Sequence, residues 1–192
     1  MKCLYFSFAI LLVSLSVHAQ TLAPSRNSFR IGLDAMSLDV PDDLGSRLVA
    51  RYARHLGRDR IVIGAEAGYL YTSSQNSPFN GIDPGPDRRK RLTADLTVLF
   101  DFLPGPRHAL RLGGGFSAWY RNDDVYRGAM VIDGGAAIDR WQTSAINLGP
   151  HLTSEYELLI LPQWSVGFRV AWANLNEAGI SSIAGINTGY RF

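Results

Sequence analysis

Cysteine is almost absent from this sequence. The single Cys3 sits within the first twenty residues, so no intramolecular disulfide can form and a small disulfide-stapled domain is excluded. Lysine is nearly as scarce, with Lys2 and Lys90 standing among nineteen basic residues. Nineteen basic against seventeen acidic residues leave no electrostatic footprint for nucleic acid. No apolar run reaches the roughly eighteen residues of a membrane-spanning helix. Zinc-ligand spacing and a phosphate-binding glycine loop are missing too, so neither a metal nor a cofactor is expected.

The N-terminus has the pattern of an export signal. Lys2 gives a short positive region, residues 4–17 are almost wholly apolar, and Val17-His18-Ala19 is a small-residue cleavage site. Residues 1–19 are therefore predicted to be a signal peptide, leaving a mature chain of residues 20–192 without cysteine, one domain by length. After cleavage arginine outnumbers lysine seventeen to one. Such a bias suits fixed, bidentate ion pairs better than a solvated charged coat.

The mature chain alternates with period two, the mark of strands. Leu92, Ala94, Leu96, Val98, Phe100 and Phe102 form one apolar face, opposite Thr93, Asp95, Thr97, Leu99 and Asp101. A helix would scatter both sets around its circumference. Trp164, Val166, Phe168, Val170 and Trp172 repeat the split against Ser165, Gly167, Arg169 and Ala171, and six weaker copies bring the count to eight strands. Short links at residues 57–59, 103–107 and 161–163 alternate with longer ones at 39–45, 72–91, 121–144 and 174–181. This predicts an all-β, eight-stranded, antiparallel transmembrane up-and-down barrel with both termini on the short-turn side. Outward aromatics cluster toward the two rims as interfacial girdles, with Tyr52 as an exception near mid-strand. A hairpin around Asp133-Gly134 is expected to extend the third long loop; its insertion would make ten strands instead. Pro150 cannot donate a ladder hydrogen bond and is expected at a bulge.

A soluble lipocalin-like barrel would need the reverse polarity, apolar inside and charged outside. Here the polar face carries Arg30, Asp34, Arg47, Arg51, Glu66, Asp95, Asp101, Arg111, Glu155, Arg169 and Arg191. Charges in so narrow a lumen must be paired, which predicts a plug of ion pairs. His151, Ser154 and Glu155 suggest esterase chemistry, but His151 and Ser154 are three apart and face opposite sides of one strand, so no catalytic residue is assigned. His55 and His108, at or near turns, read as surface residues. Gly113-Gly114-Gly115 is expected to relieve barrel curvature. The run Arg88-Arg89-Lys90-Arg91 is expected to close the second long loop at the depth of lipopolysaccharide phosphates.

The terminal segment Gly185-Ile186-Asn187-Thr188-Gly189-Tyr190-Arg191-Phe192 resembles the last strand of small OmpA/OmpX-type outer-membrane barrels. Phe192 and Tyr190 match the family's terminal signal for the barrel-assembly machinery; Asn187 stands where that family usually has glycine. The resemblance implies the fold and an outer-membrane address, with outer-membrane lipid, lipopolysaccharide and the assembly machinery as partners. Activity does not travel with the fold. The expected role is structural or surface-interacting through the long loops of a monomer, with a loop partner the residues do not name; a lipid A-modifying enzyme is the alternative.

Overall fold

The computed structural model of the chain describes residues 26–38, 43–57, 59–78, 83–103, 105, 107–132 and 135–192. The predicted signal peptide lies outside them. Eight strands follow in order: β1 (Asn27–Leu38), β2 (Asp43–Leu56), β3 (Ile61–Ser74), β4 (Asp87–Asp101), β5 (His108–Ile132), β6 (Gly135–Leu159), β7 (Trp164–Asn174) and β8 (Ile180–Arg191). Each pairs antiparallel with its neighbour, and β8 returns to β1 to close the barrel. Closure leaves no free edge around the wall, the condition for a sheet to cross hydrocarbon. At the seam the Asn27 amide donates to the Phe192 carbonyl at 3.0 Å and the Phe192 amide returns the bond at 2.9 Å.

Alternation is strictest in β4, where every odd residue from Asp87 to Asp101 is buried and every even one exposed. Leu33, Leu48, Leu96, Phe116, Leu152 and Ile186 point outward, each more than half exposed, while arginines and carboxylates line the interior. That polarity is the inverse of a soluble ligand-binding barrel. Outward apolar surface of this extent requires a hydrocarbon solvent.

Tyr52 belongs to the short-turn girdle after all. It faces Phe29 across the β1–β2 ladder, Phe29 in turn faces Tyr190, and the Tyr52 hydroxyl donates to Asn27 Oδ1 at 2.9 Å. The hairpin expected to extend the third long loop is present, and residues 121–132 and 135–144, expected as loop at its base, are strand as well. β5 and β6 pair continuously from His108↔Leu158 to Ile132↔Gly135, with one irregularity between Tyr126 and Gly128. The barrel therefore has eight strands, two of them prolonged, because Val125, Tyr126, Val131 and Ile138 continue a β-favouring sequence past the rim. Loop 72–91 also contracts, since β3 runs to Ser74 and β4 begins at Asp87.

Pro150 is not at a bulge. It pairs in register with Phe116, and the β6–β7 ladder begins only at the next residue, His151↔Ala173. A missing donor is tolerated where the ladder on that side has ended. At Gly149 the carbonyl of Asn174 approaches so closely that a Cβ would collide with it. The same device recurs in β5, where a Cβ on Gly113 or Gly115 would strike the carbonyl of Val98 or Leu96. Close strand approach is the structural use of these glycines.

Candidate functional site

The interior is the one place where chemically demanding groups converge, and alternation puts them there. Arg47, Arg51, Glu66, Asp95, Asp101, Arg111, Glu155, Arg169 and Arg191 are all buried inside the barrel, as are Arg30 and Asp34. They form two centres. In the middle, Arg47 Nη2 lies 2.8 Å from Asp34 and 3.1 Å from Glu66, and its Nη1 lies 3.1 Å from Asp95. Arg169 Nη2 lies 2.5 Å from the same Asp34 oxygen and also pairs with Glu66. Trp119 closes this centre, its indole donating to Asp95 at 3.0 Å while the Arg47 guanidinium lies 5.6 Å from its ring centroid.

The second centre, nearer the short turns, is built on Glu155 and Glu157. Arg30 and Arg51 both pair with Glu155. Glu157 receives Arg30 at 2.7 Å, Arg111 at 2.5 Å and Arg191 at 2.8 Å. Arg111 also lies 3.5 Å from Asp101. Glu157, fully buried, is the hub that the alternation argument did not single out, because the apolar run Leu158-Leu159-Ile160 obscures the pattern just beyond it. Such multiply paired carboxylates offset the large cost of burying each charge.

His55 also departs from expectation. It is buried rather than on the surface, with Nε2 3.0 Å from Ser28 Oγ and Nδ1 3.5 Å from Asp59. His108 is exposed and meets the Tyr156 hydroxyl at 2.6 Å. His151 points inward while Ser154 lies on the outward face of β6, which separates the two groups an esterase would join. His151 instead lies 2.9 Å from Ser117 Oγ through Nδ1 and 2.9 Å from Thr97 Oγ1 through Nε2. Beside it is a cavity of about 20 Å³ lined by Arg47, Asp95, Ser117 and Arg169, room for a single water and no substrate. Among the described residues no group of three or more His, Cys, Asp or Glu could hold a metal.

Above the mid-barrel centre the interior turns apolar. Met36, Leu38, Leu70, Trp119, Ala171, Ala173, Leu175, Ala178 and Ile183 form one buried cluster that caps the ion pairs on the long-strand side. Together these apolar residues of the inward face form a layer.

No family model matches the chain, and no curated protein matches it in sequence. Solved structures do match. Neisserial surface protein A is 10% identical, with a TM-score of 0.61 over 89% of this chain and 100% of its own. Ail, the attachment invasion locus protein of Yersinia pestis, solved in complex with the heparin analogue sucrose octasulfate, is 10% identical with a TM-score of 0.59 over 88% of this chain and 100% of its own. OprG from Pseudomonas aeruginosa is 10% identical with a TM-score of 0.56 over 88% and 97%. The chain has the fold of the small outer-membrane β-barrels.

One further part of the barrel differs from the sequence expectation. The run Arg88-Arg89-Lys90-Arg91 lies within β4 rather than at a loop end, and the pleat divides it. Arg88 and Lys90 face outward; Arg89 and Arg91 face inward, at 1% and 2% exposure. Only the outward pair is placed to meet lipid. At the other end, Tyr190 stacks edge-on with Trp164 at 5.4 Å, lies 6.4 Å from the Phe192 ring, and donates to Gln163 at 2.9 Å. Phe192 is half exposed on the lipid face of the short-turn rim.

The β5–β6 hairpin outreaches its neighbours. Pairing with β4 stops at Arg88↔Asp124 and pairing with β7 at His151↔Ala173, whereas β5 and β6 stay joined to Ile132↔Gly135. Arg140 braces its base, donating to Asp124 at 2.9 Å and to the carbonyls of Pro84 and Pro86 at 2.5 and 2.9 Å. Met130 and Trp141 are exposed on this ribbon.

Proposed function

We propose that this chain is an outer-membrane surface protein whose β5–β6 hairpin makes the functional contact. The observation that carries the reading is the length of that hairpin: two 25-residue strands that stay paired to Ile132↔Gly135, past the points where the ladders with β4 and β7 end. A ribbon ordered by its own ladder binds at lower entropic cost than a loop of equal length. Along residues 135–150 the edge of β6 away from β5 lies outside the β7 ladder, the situation in which a strand or extended peptide can add. Residues 1–19 would direct export, the barrel-assembly machinery would read the terminus, and the barrel would act as a monomer. Lys90, level with Tyr71 and Asn122, and Arg88, level with Ser73 and Asp124, would contact lipopolysaccharide phosphates.

Display of the full chain on cells of a non-adherent Gram-negative host tests this reading. Cells carrying the wild type should bind at least one of a defined panel of extracellular-matrix proteins and sulfated polysaccharide, the latter included because Ail holds a heparin analogue. A variant with residues 127–139 replaced by a two-residue Asn-Gly turn should lose that binding while keeping heat-modifiable barrel mobility. Unchanged binding by the shortened variant would reject the hairpin's role.

A further inference from the structure

The inward face of β4 and β5 carries an arrangement the plug does not use. Arg91 and Arg121 are direct partners in the β4–β5 ladder and project to the same side. Cβ atoms of such partners are roughly 5 Å apart, and like charges placed so are destabilising. The lumen carboxylates relieve them only in part. Trp119 lies one inward step below Arg121, Leu70 faces Arg91 from β3, and Asp95, the next carboxylate down β4, is engaged by Arg47 and the Trp119 indole. Asp123, the nearby acid on β5, stands opposite Arg89 in register and forms an ion pair with Arg91 Nη2 at 3.6 Å, one carboxylate beside two guanidiniums. Arg91 Nε and Nη1 and Arg121 Nε are buried donors with no hydrogen-bond partner. A buried charged donor left unmade is costly, and in a native fold it calls for a partner.

We propose that Arg91 and Arg121 form a binding site for a doubly charged tetrahedral oxyanion, inorganic phosphate or a small soluble phosphate monoester, in the mouth of the barrel. Arg91 supplies the buried wall of the site, and Arg121, half-buried, opens it toward solvent. Two guanidinium forks match the oxygen edges of a tetrahedral anion, and its charge removes the cross-strand repulsion. Because both side chains point into the barrel, the anion comes from solution, not from the lipid head groups that Arg88 and Lys90 face. This inference is independent of the hairpin's role.

The test is calorimetric titration of the purified full chain, refolded in phosphate-free neutral detergent, with inorganic phosphate at constant ionic strength. Saturable binding to the wild type is expected, weakened at least tenfold by Arg121→Gln and less by Arg121→Lys, which keeps the charge but not the fork. Arg54→Gln, on the outward face of β2, should bind as wild type does. Circular dichroism identifies any variant that has not folded; if Arg121→Gln is such a variant, Arg121→Lys decides. Phosphatidate added to the micelles in place of phosphate should give no binding at this site. Absence of saturable phosphate binding by the wild type, or wild-type affinity in the folded Arg121 variants, would overturn the proposal. So would phosphatidate binding that Arg121→Gln abolishes, which would give the site to a lipid head group.

Discussion

Glu157 Oε2 lies 2.5 Å from Arg111 Nη1 on the neighbouring strand, and the same carboxylate also takes Arg30 and Arg191. Glu157→Ala would leave Arg30 and Arg111 to Glu155 and Asp101, and Arg191 to the half-exposed Asp59. Breaking a buried pair from one side costs about 3–5 kcal/mol, because the surviving charge is uncompensated. Urea unfolding in lipid vesicles should therefore show Glu157→Ala destabilised by that order, and Glu157→Gln by less, since the amide still accepts a hydrogen bond. A loss below about 1 kcal/mol for the alanine variant would show that Glu157 is not the hub.

The lumen should not conduct. Two ion-pair centres lie inside the barrel and an apolar layer around Trp119 and Leu70 sits above them, so an ion would have to pass both charged and apolar side chains. Wild-type protein in planar bilayers is predicted to give at most brief, small events. Stable porin-sized openings would contradict the plug.

Steric contacts set a third expectation. A Cβ on Gly115 would strike the Leu96 carbonyl, whereas one on Gly128 meets nothing within 4 Å. Gly115→Ala should cost about 1–3 kcal/mol, as overpacking does. Gly128→Ala should stay within roughly 0.5 kcal/mol, as surface changes do. Equal unfolding midpoints for the two variants would remove close strand approach as the reason for the β5 glycines.

Deleting Phe192 separates assembly from stability. Its ring is only half buried against the rim, so its loss costs the folded barrel at most roughly 1.5–3 kcal/mol. Refolding in detergent should survive the deletion. If the terminus is read by the assembly machinery, insertion in cells should fall far more than that energy accounts for. Normal levels of the deletion variant in purified outer membranes would reject the signal.

Much of this architecture is legible in single residues. The alternation from Leu92 to Phe102 assigns each side chain its face, because a strand has only two sides and one of them is lipid. The closed eight-strand order follows from turn spacing and the polarity of the faces. Where legibility failed, a tertiary cause is visible. Glu157 is masked by the leucines after it, and His55 looked like a turn residue although the pleat carries it inward to Ser28. The apolar cap depends on five strands and the turn at Asn176–Ala178 meeting at one height, which no single segment announces. The division of Arg88 to Arg91 into outward and inward pairs needed the strand to begin at Asp87, and loop composition hid that start.

The central claim is a barrel crossing the membrane with its long hairpin outside the cell, and single-cysteine labelling tests it most directly. In a Cys3→Ala background, cysteines are placed at Met130 on the hairpin, Leu48 in the outward apolar band and Gly105 in a short turn. A membrane-impermeant maleimide applied to intact cells should label only the Met130 position. The Leu48 position should resist labelling until detergent is added, and the Gly105 position should react once the outer membrane is permeabilised. Labelling at Gly105 but not at Met130 in intact cells would reverse the orientation, and aqueous labelling at Leu48 in intact membranes would contradict the transmembrane barrel itself.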